Sequence, residues 1–146
     1  MNKVKSITQE QADELYRRLP KPDKFVFAIG METGLRISDI LRIKNQDITN
    51  PIEVYVSRSA SICSYKLSEW LYNELINRWE YDNPDHYILC STRKYKRSIN
   101  RTTYHRHIKR ALEGLDFDAS AHSTRKFYLN RSQSEKSDCN STIERN

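Results

Sequence analysis

The positive charge of this 146-residue chain is gathered in one place. Between His86 and Leu112 there is no Asp or Glu, while Arg93, Lys94, Lys96, Arg97, Arg101, Arg106, Lys109 and Arg110 supply eight of the 25 basic side chains. The remaining 17 (25 less 8) are outnumbered by the 19 acids, so this segment carries the whole excess behind the net charge of +6. Cationic groups gathered this way suit phosphate or nucleic acid. A solvated charged face has the same composition, and composition leaves both readings open. Thiol and metal chemistry are poorly supported. Cys63, Cys90 and Cys139 are odd in number and widely spaced, with no Cys-x-x-Cys pair, so neither a zinc cage nor a disulfide framework is suggested. No cofactor is expected.

The elements that must position such residues follow from periodicity. Thr8 with Gln11 three positions on has the form of a capping box, and Ala12, Leu15, Tyr16 and Leu19 follow at helical spacing. Pro20 and Pro22 should end that helix. A second, mostly apolar helix is expected over Phe25–Met31, closed by Gly34 in the left-handed conformation. Helix should resume from Arg36 to Lys44. Ile52–Val56 alternates and is rich in β-branched residues, so a strand is expected there, with a turn over Ser57–Ser61 and a returning strand over Ile62–Leu67. Ser68 should cap a helix running to about Trp79. Arg101–Leu112 reads as an amphipathic helix, with Tyr104, Ile108, Ala111 and Leu112 on its apolar face. A last helix can start at Ala119 and reach Tyr128. From Leu129 to Asn146 the composition turns polar without a period, and a disordered tail is expected there, giving one domain over residues 1–128 and a tail over 129–146. The N-terminus lacks the apolar core of a signal peptide and no apolar run reaches membrane-spanning length, so a soluble cytoplasmic protein without a membrane partner is expected.

Two short patterns carry a family resemblance. One is Thr33-Gly34-Leu35-Arg36-Ile37-Ser38-Asp39-Ile40-Leu41, followed by Asp47-Ile48; the other is His122-Ser123-Thr124-Arg125. They resemble, respectively, the first conserved box and the His-x-x-Arg box of the tyrosine recombinases (phage integrases), in the family's order, over about residues 6–128. The resemblance implies a mainly α fold with a small antiparallel β-sheet (α+β), like the recombinase catalytic domain and incomplete at its C-terminus. It implies DNA integration and recombination as the activity, and double-stranded DNA as the partner. It makes Arg36 and Arg125 catalytic phosphate-binding arginines, His122 a phosphate ligand or proton carrier, and Asp39 a supporting acid. The chemistry suits these types. Attack on a phosphodiester adds negative charge at phosphorus, which paired guanidinium forks stabilise while remaining charged. The His-x-x-Arg spacing is expected to set both side chains on neighbouring turns of one helix.

The chain also departs from that pattern. The family sets a lysine, acid for the leaving oxygen, in the turn between the strands, and Arg58 stands at or near that position here. A guanidinium binds phosphate but does not readily release a proton. After the His-x-x-Arg box the family continues to a second His or Trp and then the nucleophilic tyrosine. Here 21 residues follow Arg125, holding one tyrosine, Tyr128, and no His or Trp. Tyr128 is one helical turn from Arg125, so core packing is expected of it rather than nucleophilic attack. No nucleophile is therefore expected in this chain, and alone it should not cut DNA. Three alternatives stay open: an enzyme whose tyrosine comes from an intact recombinase subunit, a non-enzymatic regulator of such a recombinase, and a frameshift remnant. Without further helices to cover the core, an exposed apolar patch is expected.

Overall fold

The computed structural model describes residues 6–77, 84–89 and 99–138. Helix α1 (Gln9–Arg18) opens on the expected capping box: the Thr8 hydroxyl accepts from the Gln11 amide and the Gln11 side chain accepts from the Thr8 amide. Helix α2 spans Lys21–Thr33, four residues earlier than the apolar run suggests. Its proline lies in the first turn, where the missing amide hydrogen is an orphan anyway, so Pro22 starts this helix rather than ending its predecessor. Gly34 closes α2 at φ 72°. Helix α3 is short, Ile37–Ile40, and the chain leaves it for a 3-10 turn at Asn45–Asp47 instead of remaining helical to Lys44. The Lys44 backbone pairs with Tyr87 there, which pulls this stretch out of the helix.

Strands β1 (Ile52–Val56) and β2 (Ser61–Tyr65) form an antiparallel hairpin, in register from Ile52 opposite Tyr65 to Val56 opposite Ser61. The returning strand ends two residues sooner than expected: the Leu67 amide turns instead to the Asn50 side chain. Ile52 and Val54 enter the core, whereas Tyr55 and its partner Ile62 face outward, Ile62 at 68% exposure. Helix α4 (Glu69–Asn77) follows, capped by Ser68, and buries Leu71 and Leu75. Trp79 lies outside the described residues.

Helix α5 (Arg101–Ala111) starts on Asn100, whose side chain accepts from the Thr103 amide. Tyr104, Ile108, Ala111 and Leu112 are buried, as the periodicity requires. Helix α6 covers Ser123–Asp138. Its backbone stays helical ten residues past Tyr128, where the composition predicts a loose tail from Leu129. Residue 128 therefore does not end the helix. A turn held against the core removes the nucleation cost, and polar residues such as Arg131 and Gln133 then extend it cheaply. Residues 139–146 lie outside the described residues.

The core is built around α2, most of which is buried: Phe25, Val26, Phe27 and Ile29 are each at most 2% exposed. Helix α6 packs along it. A Cβ at Gly30 would come 2.6 Å from the Thr124 hydroxyl, so the glycine sets how closely the two helices approach. Among the described residues no helix is long and apolar enough to cross a membrane.

Candidate active site

Arg36 follows the left-handed Gly34 turn and occupies the N-cap of α3. Its side chain is half-buried and makes no hydrogen bond or ion pair among the described residues. The turn itself is tightly held. The Thr33 hydroxyl donates to the Ile29 carbonyl at 2.7 Å, and the Leu35 amide donates back to that hydroxyl at 3.1 Å. The chain therefore leaves α2 in one direction, and that direction sets where Arg36 starts.

Arg125 reaches the same turn from α6, donating from Nη1 to the Gly34 carbonyl at 2.7 Å. The two patterns thus meet through a direct hydrogen bond between residues 91 positions apart. Burial first, and next the neighbouring Arg36 guanidinium, hold the Arg125 pKa below its ordinary value; Arg58 adds to this, while Tyr65 and Asp39 oppose it. Arg36 and Arg58 therefore both lie within electrostatic reach of Arg125. An arginine lowered from so high a value is still charged at neutral pH. Like charges held close, with one of them partly desolvated, make a site that favours an anion between them.

Asp39 anchors the hairpin to this centre. It is buried, at 1% exposure, rather than an acid on the helix surface. Its Oδ1 accepts from the Ser57 hydroxyl at 3.0 Å, from the Ser57 amide at 3.4 Å and from the Arg42 guanidinium. Ser57 opens the turn that carries the exposed Arg58, so the carboxylate fixes the base of that turn. Asp39 Oδ2 is buried without a hydrogen-bond partner among the described residues.

His122 is exposed and sits just before α6, not on its first turn, so the expected arrangement on neighbouring helical turns is not the one found. Its carbonyl accepts from the Lys126 amide and its own amide donates to the Ser120 hydroxyl. The helix starts at Ser123 rather than at Ala119 because Ser120 and Ser123 close the preceding turn, the Ser123 hydroxyl accepting from the Ser120 amide. Tyr128 packs on the Gly34 backbone: a Cβ at Gly34 would fall 2.3 Å from its ring.

Of the basic segment, Arg93, Lys94, Lys96 and Arg97 lie outside the described residues. On α5, Arg101 and Arg110 are exposed without a side-chain hydrogen-bond partner among the described residues, and Arg106 donates to the Thr103 hydroxyl. Lys109 is committed elsewhere, donating to Asp118 at 2.6 Å and to the Ala119 carbonyl at 2.9 Å, which ties α5 to the approach of α6.

Two residues at this centre escape sequence reasoning. Ser57 reads only as part of a turn. Tyr65, which acts electrostatically on Arg125, reads only as part of a strand. Burial, then Cys63, pushes the Tyr65 phenol above its usual range, so it remains protonated at neutral pH. The outward and inward alternation of β2 is the one signal that could have aimed it here. Among the described residues no group of His, Cys, Asp and Glu could hold a metal ion.

The family model described as the phage integrase family matches residues 5–136. The chain belongs to the phage integrase family. Its mostly helical fold with one two-stranded antiparallel sheet is that of the tyrosine-recombinase catalytic domain. A lambda integrase fragment bound to DNA superposes with a TM-score of 0.72 at 19% identity, over 98% of this chain and 56% of that one. The lambda integrase catalytic core gives a TM-score of 0.70 at 19% identity, over 91% of this chain and 85% of that one. XerA recombinase gives 0.72 at 15% identity, over 92% of this chain and 53% of that one. The chain thus spans little more than half of the DNA-bound integrase fragment. No curated protein sequence matches it significantly.

Proposed function

We propose that this chain binds duplex DNA in a recombination process, holding a backbone phosphate between Arg36, Arg58 and Arg125. The single observation behind this reading is that Arg125, bonded to the Gly34 carbonyl, has Arg36 and Arg58 within electrostatic reach. Arg36 and Arg125 donate to the non-bridging oxygens, where charge grows as phosphorus becomes five-coordinate. Arg58 adds a third cation at the leaving side but no transferable proton. His122, exposed at the start of α6, contributes a further donor to the phosphate. Asp39 acts by positioning, through Ser57 and the hairpin. The exposed Arg101 and Arg106 extend the contact along the DNA backbone, and the setting is the cytoplasm.

In this reading the chain does not cut DNA by itself. Tyr128 is packed against Gly34. A second reading is favoured by the preservation of the arginine centre: an intact recombinase subunit supplies the tyrosine. Labelled duplex incubated with the pure protein tests both. The proposal expects salt-sensitive binding with no covalent protein–DNA adduct from the chain alone. Salt-insensitive binding, or an adduct formed without a partner, would refute it. An adduct formed only when a recombinase with its own tyrosine is added selects the second reading.

A further inference from the structure

At the other end of α2 a second cluster of titratable and cationic side chains stands apart from the arginine centre. Asp23, in the first turn of α2, is 2% exposed. Both of its carboxylate oxygens face Nδ1 of His107 on α5, at 3.1 and 2.9 Å. Nε2, on the opposite edge of the ring, has no hydrogen-bond partner among the described residues. The His107 ring lines a cleft of about 330 Å³ with Arg18, Pro20, Arg110 and Ala111. Asp23 and Gly34 lie eleven positions apart, about 16 Å along α2.

The cleft is built for an anion in three respects. First, α5 ends here, and its carbonyl oxygens would repel negative charge. Arg18 neutralises that end, donating from Nη1 to the Glu113 carbonyl at 2.8 Å and to the Ala111 carbonyl at 3.3 Å. Its Nη2 is not used by any hydrogen bond among the described residues, and its Nε donates to Glu14 at 3.3 Å. Second, the Arg110 side chain is exposed and has no hydrogen-bond or ion-pair partner among the described residues. Third, Asp23 fixes the orientation of the ring through Nδ1, and in the imidazolium form Nε2–H is a donor aimed away from that carboxylate. Among the described residues, Glu14 pairs with Arg18 and Asp23 with His107.

We propose that this cleft binds the terminal phosphate of a small phosphomonoester. Arg110, Arg18 Nη2 and His107 Nε2–H donate to its oxygens, and Pro20 and Ala111 bear against its organic part. The volume is at the lower end of the range for small-molecule sites, and a recess suits a terminal phosphate better than a diester within a continuous backbone.

Nuclear magnetic resonance of the full chain with ¹⁵N-labelled histidine tests this directly. The ligands are adenosine monophosphate, inorganic phosphate, adenosine, and sodium chloride at matched ionic strength, with a short DNA duplex as a separate arm. The His107 ring signals should move with the two phosphates and stay in place with adenosine and chloride. Arg110→Gln should weaken the response about tenfold, since a charge-assisted bond is removed, while the circular dichroism spectrum is unchanged because the Arg110 side chain holds no bond among the described residues. Absence of a phosphate-specific shift, a shift with duplex only, or undiminished affinity in Arg110→Gln would each overturn the proposal.

Discussion

The Arg125 guanidinium and the Gly34 carbonyl oxygen are joined by a 2.7 Å hydrogen bond that ties α6 to the turn from which Arg36 starts. The turn and Arg125 therefore define one structural unit. An arginine that binds a carbonyl with one nitrogen keeps the others for phosphate, so Arg125→Lys is not a conservative change. We expect Arg125→Lys to lower duplex affinity nearly as much as Arg125→Ala. The Gly34 carbonyl loses its donor in the alanine variant, costing about 1–3 kcal/mol of stability. Urea denaturation and fluorescence anisotropy on the same preparations check both. Lysine restoring full affinity would argue that charge alone matters at this position.

Gly34 is constrained twice, by φ 72° and by the ring of Tyr128. Gly34→Ala should destabilise the fold by about 1–2 kcal/mol from the left-handed backbone alone, with the ring clash in addition. Adding Tyr128→Leu should recover the clash and leave the backbone cost. A double variant no more stable than Gly34→Ala would show that Tyr128 does not press on this turn.

Asp39 holds the hairpin through Ser57. Asp39→Ala should release the base of the turn carrying Arg58, and amide hydrogen exchange at Ser57 and Arg58 should accelerate. Ser57→Ala removes one of those bonds and should give a smaller acceleration. Unchanged exchange in Asp39→Ala would contradict the anchoring role. The DNA affinity of Asp39→Ala should fall once Arg58 is no longer held in place.

Asp23 gives the fold a pH dependence of known sign. Burial raises its pKa, and the hydrogen bond from His107 offsets that only in part. A carboxyl raised on folding contributes stability that is fully present below its unfolded value of about 4, and that is lost as pH climbs through the folded value. The stability of the native chain relative to Asp23→Asn should therefore decline from acid towards neutral pH. Urea midpoints measured across that interval check the sign, and a difference that rises with pH would contradict it.

What is legible in the sequence divides along physical lines. Local signals succeed where the chain decides for itself. The Thr8 capping box, the Gly34 stop, the Ile52–Val56 alternation and the apolar face of α5 all act within a few residues. Failures come where distant contacts decide. Lys44 leaves the helical path to pair with Tyr87, and Asn50 captures the Leu67 amide. Helix α6 outruns its weak periodicity because its first turns are already fixed on α2. At the site, motif alone picks out Arg36, Arg125, Asp39 and Arg58. Their meeting through Gly34 and Ser57, and the pairing of Asp23 with His107, depend on tertiary approach that spacing does not encode.

Arg36, Arg58 and Arg125 are proposed to hold one DNA phosphate region together. Duplex affinity measured by fluorescence anisotropy from about 50 to 200 mM salt, for the native chain and for each single alanine variant, tests it most directly. The expected result is weaker binding in each variant and a salt slope shallower by roughly 0.9 for each phosphate that is no longer neutralised. Native affinity and an unaltered slope in all three variants would place the DNA elsewhere on the protein and contradict a shared phosphate site at these arginines.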